Sequence, residues 1–340
     1  MKPLAKGLLA GAVLLFLPAV ILRLLPQEEK APDPPASIGN PDEITIVMDS
    51  PKGKGEEDTS ITMYDTGTKQ LVTLSLEEYL VGVVAGEMPA SFDSEALKAQ
   101  AVAARTLAAG KMRSLGGSGC SLKEGADVCS SFSHCQEWIS EDRMRKNWGD
   151  GFDAMYEKIK QAVADTKGEI MTYNGKPIEV LYHSTSNGKT EEASEVFSHS
   201  LPYYASVDSA GEENTPKFEG SVTYTNQKFA EIFQSKYRVR LNPDDLKNAI
   251  KINGYTESGR IRDLTVGGKN LRATEFRMLY GLNSTDITFV FGKDSITMKT
   301  KGFGHGVGMS QVGADRMAQQ GYGYQDILRH YYQGVEIGHY

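Results

Sequence analysis

Glu87 sits in the run Ala85-Gly86-Glu87-Met88-Pro89, at a break between two segments of helical spacing. The C-terminal end of a helix is electronegative and opposes a negative charge placed there. Val84, Met88 and Pro89 are apolar neighbours, and an apolar setting raises a carboxyl pKa. A carboxyl that keeps its proton is what cleavage of a glycosidic bond requires, because the leaving oxygen must be protonated. The competing reading is a solvated Glu in a turn. Glu191 and Glu275 are the carboxylates to consider after it.

Four further groups could touch a ligand. Lys98 and Arg105 lie seven positions apart, on one face of the second helix, with Gln100 pointing elsewhere. They read either as a solvated face or as donors to sugar hydroxyls or a substrate carboxylate. The stretch from Tyr182 to Glu191, YHSTSNGKTE, places Tyr182, Ser184 and Ser186 at a strand end. Adjacent strand residues point to opposite faces, so His183 and Ser184 do not form a nucleophile pair. The run from Gly302 to Gln311, GFGHGVGMSQ, has alternating glycines around His305 and then Ser310 and Gln311. Glycine lets backbone approach a ligand closely, a helix N-terminus offers free N–H groups, and the flanking glycines predict an exposed His305. The run lacks the Gly-Lys-Ser/Thr ending of a P-loop and the Rossmann spacing. Cys129 and His134 have a spacing that suits zinc. Cys120 and Cys135 complete three cysteines within sixteen residues, so a disulfide would leave one over.

The elements that must position these groups are mixed. Short strands are predicted at 44–48, 61–64 and 70–74. Ser75 and Glu78 make a capping box for a first helix that stops near Glu87, bracketed by Gly86 and Pro89. A second, Ala-rich helix is predicted to start after Asp93 or Ser94 and to run to about Ser114, packed closely on the first. Residues 116–150 read as irregular and 152–166 as a helix. A hairpin is expected with strands 169–173 and 177–182 around Asn174-Gly175. Residues 205–300 mix strands with partly helical 222–236 and 244–250, and form a candidate subdomain. Helices are predicted at 310–320 and 324–331. Without regular strand–helix alternation this is an α+β fold.

Upstream, Lys2 and Lys6 precede an apolar run at 7–25, close to the ~20 residues of a bilayer-spanning helix. The rival reading is a cleaved signal peptide, although no small-residue cleavage site ends the run. The division that follows is a cytoplasmic tail at 1–6, an anchor at 7–25, a Pro-rich tether at 26–42 and an extracytoplasmic domain at 43–340. The formal net charge of −7 disfavours a nucleic-acid partner.

Four segments in this order resemble the stage II sporulation protein D family, which shares a domain with amidase-enhancer proteins. They are Val83-Val84-Ala85-Gly86-Glu87-Met88-Pro89, the run AlaLeuLysAlaGlnAlaValAlaAlaArgThr from Ala96 to Thr106, the Tyr182 to Glu191 stretch, and the Gly302 to Gln311 stretch. The resemblance runs from about residue 44 to the end. It implies a peptidoglycan lytic transglycosylase, which cuts N-acetylmuramic acid–β-1,4–N-acetylglucosamine bonds of peptide-stripped strands and leaves 1,6-anhydro ends. One acidic residue gives and takes back the proton, and Glu87 matches it. Cys129 and His134 match a zinc-binding pair of some members, which implies one structural zinc ion not needed for the chemistry. The implied partners are glycan strands, an amidase and a membrane protein of the engulfment complex. The implied place is the mother-cell membrane facing the forespore septum. Asn187 and Val312 depart from the family pattern, where Gly and an aromatic are commoner. Two other readings remain: a non-catalytic wall-binding activator of an amidase, and a zinc hydrolase on Cys129, His134 and His305, for which no H-E-x-x-H set exists.

Overall fold

The structure is a computed structural model that describes residues 59–197 and 200–340. The expected anchor, the tether and the strand at 44–48 lie outside these residues. Among the described residues no helix is long and apolar enough to cross a membrane.

Ser60–Asp65 (β1) and Gln70–Ser75 (β2) pair antiparallel, with Ser60 opposite Ser75. Ser75 then caps Leu76–Glu87 (α1). Its hydroxyl accepts the Glu78 N–H at 3.2 Å and the Glu78 carboxylate accepts the Ser75 N–H at 3.1 Å. Asp93 caps Ser94–Lys111 (α2) through the Glu95 N–H. This helix stops short of residue 114, because Met112 turns extended and residues 113–115 tighten into a 3₁₀ turn closed by Gly116 at φ 89°. α2 is the central rod. Ala96, Ala99, Ala101, Ala103, Ala104 and Ala108 are all buried, and side chains this small let α1 and later elements close around it.

Val128–Cys129 (β3) adds to β1 in parallel. The stretch expected to be irregular holds a helix, Glu141–Trp148 (α3), capped by Ser140. Only Met144 of it is buried, so no apolar stripe marked it. Phe152–Asp165 (α4) follows and packs on α1 and α2.

Glu169–Tyr173 (β4) and Lys176–Pro177 (β5) flank the Asn-Gly turn, with φ 53° at Asn174 and 74° at Gly175. The second strand is shorter than the expected 177–182, because Tyr182–His183 (β6) pairs elsewhere. A short helix, Ala193–Val196 (α5), comes next.

The segment 219–301 builds its own apolar cluster around Phe229, Phe233, Leu264, Phe276 and Met298. Its elements are Glu219–Thr225 (β7), Asn226–Tyr237 (α6), Leu246–Ala249 (α7), Ile250–Tyr255 (β8), Ile261–Val266 (β9), Lys269–Arg272 (β10), Ala273–Tyr280 (α8), Asp286–Phe291 (β11) and Ser295–Lys301 (β12). They form two antiparallel sheets, β10-β9-β8 and β11-β12-β7. Residues 222–225 are strand rather than helix, because Thr225 caps α6 by accepting the Lys228 N–H.

The chain then returns to the main core with Met309–Ser310 (β13), Gln311–Gln319 (α9), Tyr324–Tyr331 (α10) and Glu336–His339 (β14). β13 lies parallel to β6, with Met309 opposite Tyr182 and Ser310 opposite His183. β14 covers the free edge of β4. Sheets and helices are mixed, an α+β fold.

Candidate active site

Glu87 is the last residue of α1 and is half-buried. Its Oε1 accepts the backbone N–H of Glu137 at 2.7 Å. The side chains of Gln311 and Tyr182 lie beside its carboxyl, close enough to influence its titration. Burial pushes the Glu87 pKa up to about 7, opposed first by the Glu137 N–H, while the Glu137 charge adds to the rise. The largest cause is withdrawal from water, in line with the apolar setting read from the sequence.

The two distant stretches meet beside it. Besides the β6–β13 pairing, Thr185 bridges Phe303 and Glu191 bridges Val307. The glycines serve this contact. A Cβ on Gly308, at φ 72°, would lie 2.0 Å from the Leu181 carbonyl oxygen, and one on Gly304 would lie 2.7 Å from His183 Cβ. Their close approach is to the protein's own chain, a correction to the expected approach to a ligand. The α9 N-terminus is likewise spent inside. Val312 N–H donates to the Ser184 carbonyl and Gly313 N–H to Ser310 Oγ.

Several residues expected at the substrate are placed otherwise. Arg105 is fully buried and bonds Glu77 at 2.6 and 3.0 Å and the carbonyls of Val163 and Glu169. Lys98 pairs with Glu95 at 2.9 Å and Asp165 at 3.1 Å. The donor surface expected of these two on α2 is therefore corrected to ion pairing that ties α2 to its neighbours. Gln100, on another face, is the α2 side chain that reaches Gln311, at 3.5 Å. Ser186 and Ser310 are fully buried and both donate to Glu212, at 2.7 and 2.8 Å. They clamp the two stretches together rather than face a ligand. Ser184 is half-buried and shares the strand face of Tyr182.

His305 is half-buried, not exposed as the glycines predicted. Its ring packs at 5.8 Å on both His183 and Phe197. Burial drives its pKa down to about 4, with Arg277 and Arg260 adding to the fall. Glu191 is buried and accepts from Thr256 and Ser258 at 2.7 Å each, while Glu275 is exposed beside Tyr237. Val312 is buried, so that position is core. Asn187 donates to the Ser258 carbonyl and to Asp286.

The cysteine segment closes on itself. Donor atoms of Cys120, Cys129, His134 and Cys135 lie within 4.8 Å of one another. His134 Nδ1 is 3.6, 3.5 and 3.3 Å from the sulfurs of Cys120, Cys129 and Cys135. Zinc bonds of roughly 2.0 Å to nitrogen and 2.3 Å to sulfur place donors at tetrahedral corners about 3.5 Å apart. The donor set therefore fits zinc, with His134 Nε2 oriented by Ser121 at 2.9 Å. The expected pair is extended by Cys120 and Cys135.

Sequence reasoning missed Gln136, Glu212 and Tyr79. Glu212 lies in a polar loop, and Gln136 adjoins a cysteine in a segment with no periodicity. No local signal marks either.

A sequence model described as stage II sporulation protein matches residues 64–173. The stage II sporulation protein D of Bacillus subtilis is 41% identical over 301 residues, covering 87% of this chain and 85% of that protein. That of Bacillus amyloliquefaciens is 37% identical over 343 residues, covering 99% of this chain and 96% of that protein. The protein named amidase enhancer in Bacillus subtilis is 28% identical over 312 residues, 77% of this chain and 40% of its own length.

Proposed function

This chain belongs to the stage II sporulation protein D family, a family of sporulation proteins, and from that premise we propose that it is a peptidoglycan lytic transglycosylase with Glu87 as its acid and base. The observation that carries this reading is the Glu87 carboxyl, whose pKa burial lifts to about 7. In the proposed reaction the protonated carboxyl gives its proton to the oxygen joining N-acetylmuramic acid to N-acetylglucosamine. The bond from the anomeric carbon to that oxygen breaks. Glu87, now ionised, takes the proton of the muramic C6 hydroxyl as that oxygen bonds the anomeric carbon. A 1,6-anhydro end forms, no water is consumed, and Glu87 regains its proton. A single carboxyl suffices, unlike the paired carboxyls of glycoside hydrolases.

Tyr182 and Gln311 would hold the carboxyl and the sugar beside it, with Ser184 and His305 on the adjoining strand and loop. Cys120, Cys129, His134 and Cys135 would hold one zinc ion. When bound it supplies a structural crosslink, fixing the segment that leads through Gln136 to the Glu137 N–H on Glu87. The protein would act on peptide-stripped strands during engulfment, beside an amidase and a membrane protein, tethered by residues 7–25 in the mother-cell membrane.

Mass spectrometry of products from peptide-stripped glycan tests the reaction. Anhydro ends from wild type and none from Glu87→Gln are expected. Reducing ends, or no cleavage, would remove it. The second reading, a non-catalytic activator of an amidase, draws on the likeness to the protein named amidase enhancer. It predicts amidase stimulation that Glu87→Gln leaves untouched, with no strand cleavage.

A further inference from the structure

Gln136 is buried behind Glu87, in the segment that follows Cys135 and lies along α1. Trp138 covers Gly82 so closely that a Cβ there would meet its ring at 2.1 Å, and the Ile139 N–H donates to the Gly82 carbonyl at 3.2 Å. The Gln136 amide is held on both sides. Its Nε2 donates to the Ala104 carbonyl at 3.4 Å and to the Tyr79 hydroxyl at 3.1 Å. Its Oε1 accepts the Tyr182 hydroxyl proton at 2.9 Å. The amide cannot be turned round without loss, because a backbone carbonyl only accepts and so requires the NH₂ on its side.

A phenol has one proton. Given to Gln136, it is withheld from Glu87, and what Tyr182 turns toward the carboxyl is a lone pair. A protonated carboxyl satisfies a lone pair, whereas a carboxylate is repelled by it. Resting on the reading of Glu87 as the acid, we propose that Gln136 is a positioning residue that sets the direction of the Tyr182 hydroxyl and so holds Glu87 as a proton donor. The Glu137 N–H already occupies Oε1, which leaves the other carboxyl oxygen to carry the proton toward Tyr182. Ionised Glu87 could recruit the Tyr182 proton only by stranding the buried Gln136 oxygen, an unfavourable exchange. The same bias favours return of the proton from the C6 hydroxyl in the second half of the reaction.

The titratable groups that face Glu87 are Glu137, Tyr182 and Tyr79. Burial pushes both phenols well above their ordinary range, so neither gives up its proton to Glu87. Gln136→Leu leaves all three in place.

The full-length protein labelled with ¹³C at the glutamate side-chain carboxyls provides the test, with the Glu87 signal assigned by its loss in Glu87→Gln. Gln136→Leu frees the Tyr182 proton to turn to Glu87, and should lower the titration midpoint of Glu87 by about one pH unit, the size of a hydrogen bond to a charged group. Tyr182→Phe removes donor and lone pair together, gives the carboxylate no new donor, and should lower the midpoint by less than half a pH unit, roughly the loss of a weak neutral hydrogen bond. In the double variant Gln136→Leu should have no further effect. An unchanged midpoint in Gln136→Leu overturns the proposal. So does a fall of about one full pH unit in Tyr182→Phe, the size of a hydrogen bond to a charged group, which would mean that Tyr182 donates to Glu87 in the wild type, and this arm stands even if Gln136→Leu does not fold. Because the carboxyl is read without substrate, a failure here and a failure to form anhydro ends are separate results.

Discussion

One carboxyl that must first give and then recover a proton works best with a pKa near the pH of the reaction. Burial places Glu87 at about 7. Glu87→Gln keeps the shape and loses the proton, so cleavage of peptide-stripped glycan should fall by about 10²–10⁴-fold. In the wild type, kcat/KM should decline as pH rises through about 7, because the free enzyme must be protonated to act. Stability should report the same group. The folded pKa of about 7 lies above the ordinary 4.5. Between those values the unfolded chain has lost a proton that the folded chain keeps, so stability falls as pH rises through this window and levels off above it. Glu87→Gln removes that component. The variant should gain on the wild type from pH 4.5 to 7, by at most about 3 kcal/mol, in urea melts at pH 4, 6 and 8. A gap that does not widen with pH would place the raised pKa elsewhere.

At the scale of elements, α2 and the paired loops hold the site. The Arg105 guanidinium crosses from α2 to Glu77 on α1 and to the ends of α4 and β4. Arg105→Met removes one partner of this pair and should cost about 3 kcal/mol, the lower end for such a loss because Glu77 keeps some contact with water. Protein that remains folded should bind glycan as the wild type does, and a selective loss of glycan binding would return Arg105 to the substrate. Gly308→Ala meets the Leu181 carbonyl at a left-handed backbone position. It should part β13 from β6 and lower both the melting temperature and the activity. A variant with wild-type melting would show that the two loops are not held by this contact.

For the whole molecule, the cysteine cluster and the site belong to one continuous path. Cys135 is followed directly by Gln136 and Glu137, which reach Tyr182 and Glu87. Protein purified without chelator should carry about one zinc per chain by the ligand logic of such sets. Cys120→Ser and Cys135→Ser should each lose metal, and chelation should lower the melting temperature. Metal-free protein with all three thiols titratable and unchanged melting would remove zinc from the account. On the proposed anchor at 7–25, the protein with these residues should sediment with membranes and the protein lacking residues 1–25 should not, and the same distribution for both would remove the anchor from the proposal.

What the sequence by itself determined were features that act over a few residues. The Ser75–Glu78 box, the stop at Glu87 before Pro89 and the Asn174-Gly175 turn all arise from interactions within one turn of chain, and each is legible at its place. The polar helix α3 escaped because a helix held by one buried residue has no stripe to read. Which side chains meet was decided only by tertiary packing. Tyr182 and Gln311 arrive at Glu87 from segments far apart in the chain, Gln136 comes from a third to accept from Tyr182, and Glu212 ties the Tyr182 and Gln311 segments together. Arg105 looked like a surface cation because periodicity reports a face, not what covers it, and here α1, α4 and β4 do. The glycines around His305 show the same division. Their positive φ angles are a local requirement that glycine meets, but the chain that presses against Gly302, Gly304 and Gly308 lies more than a hundred residues away.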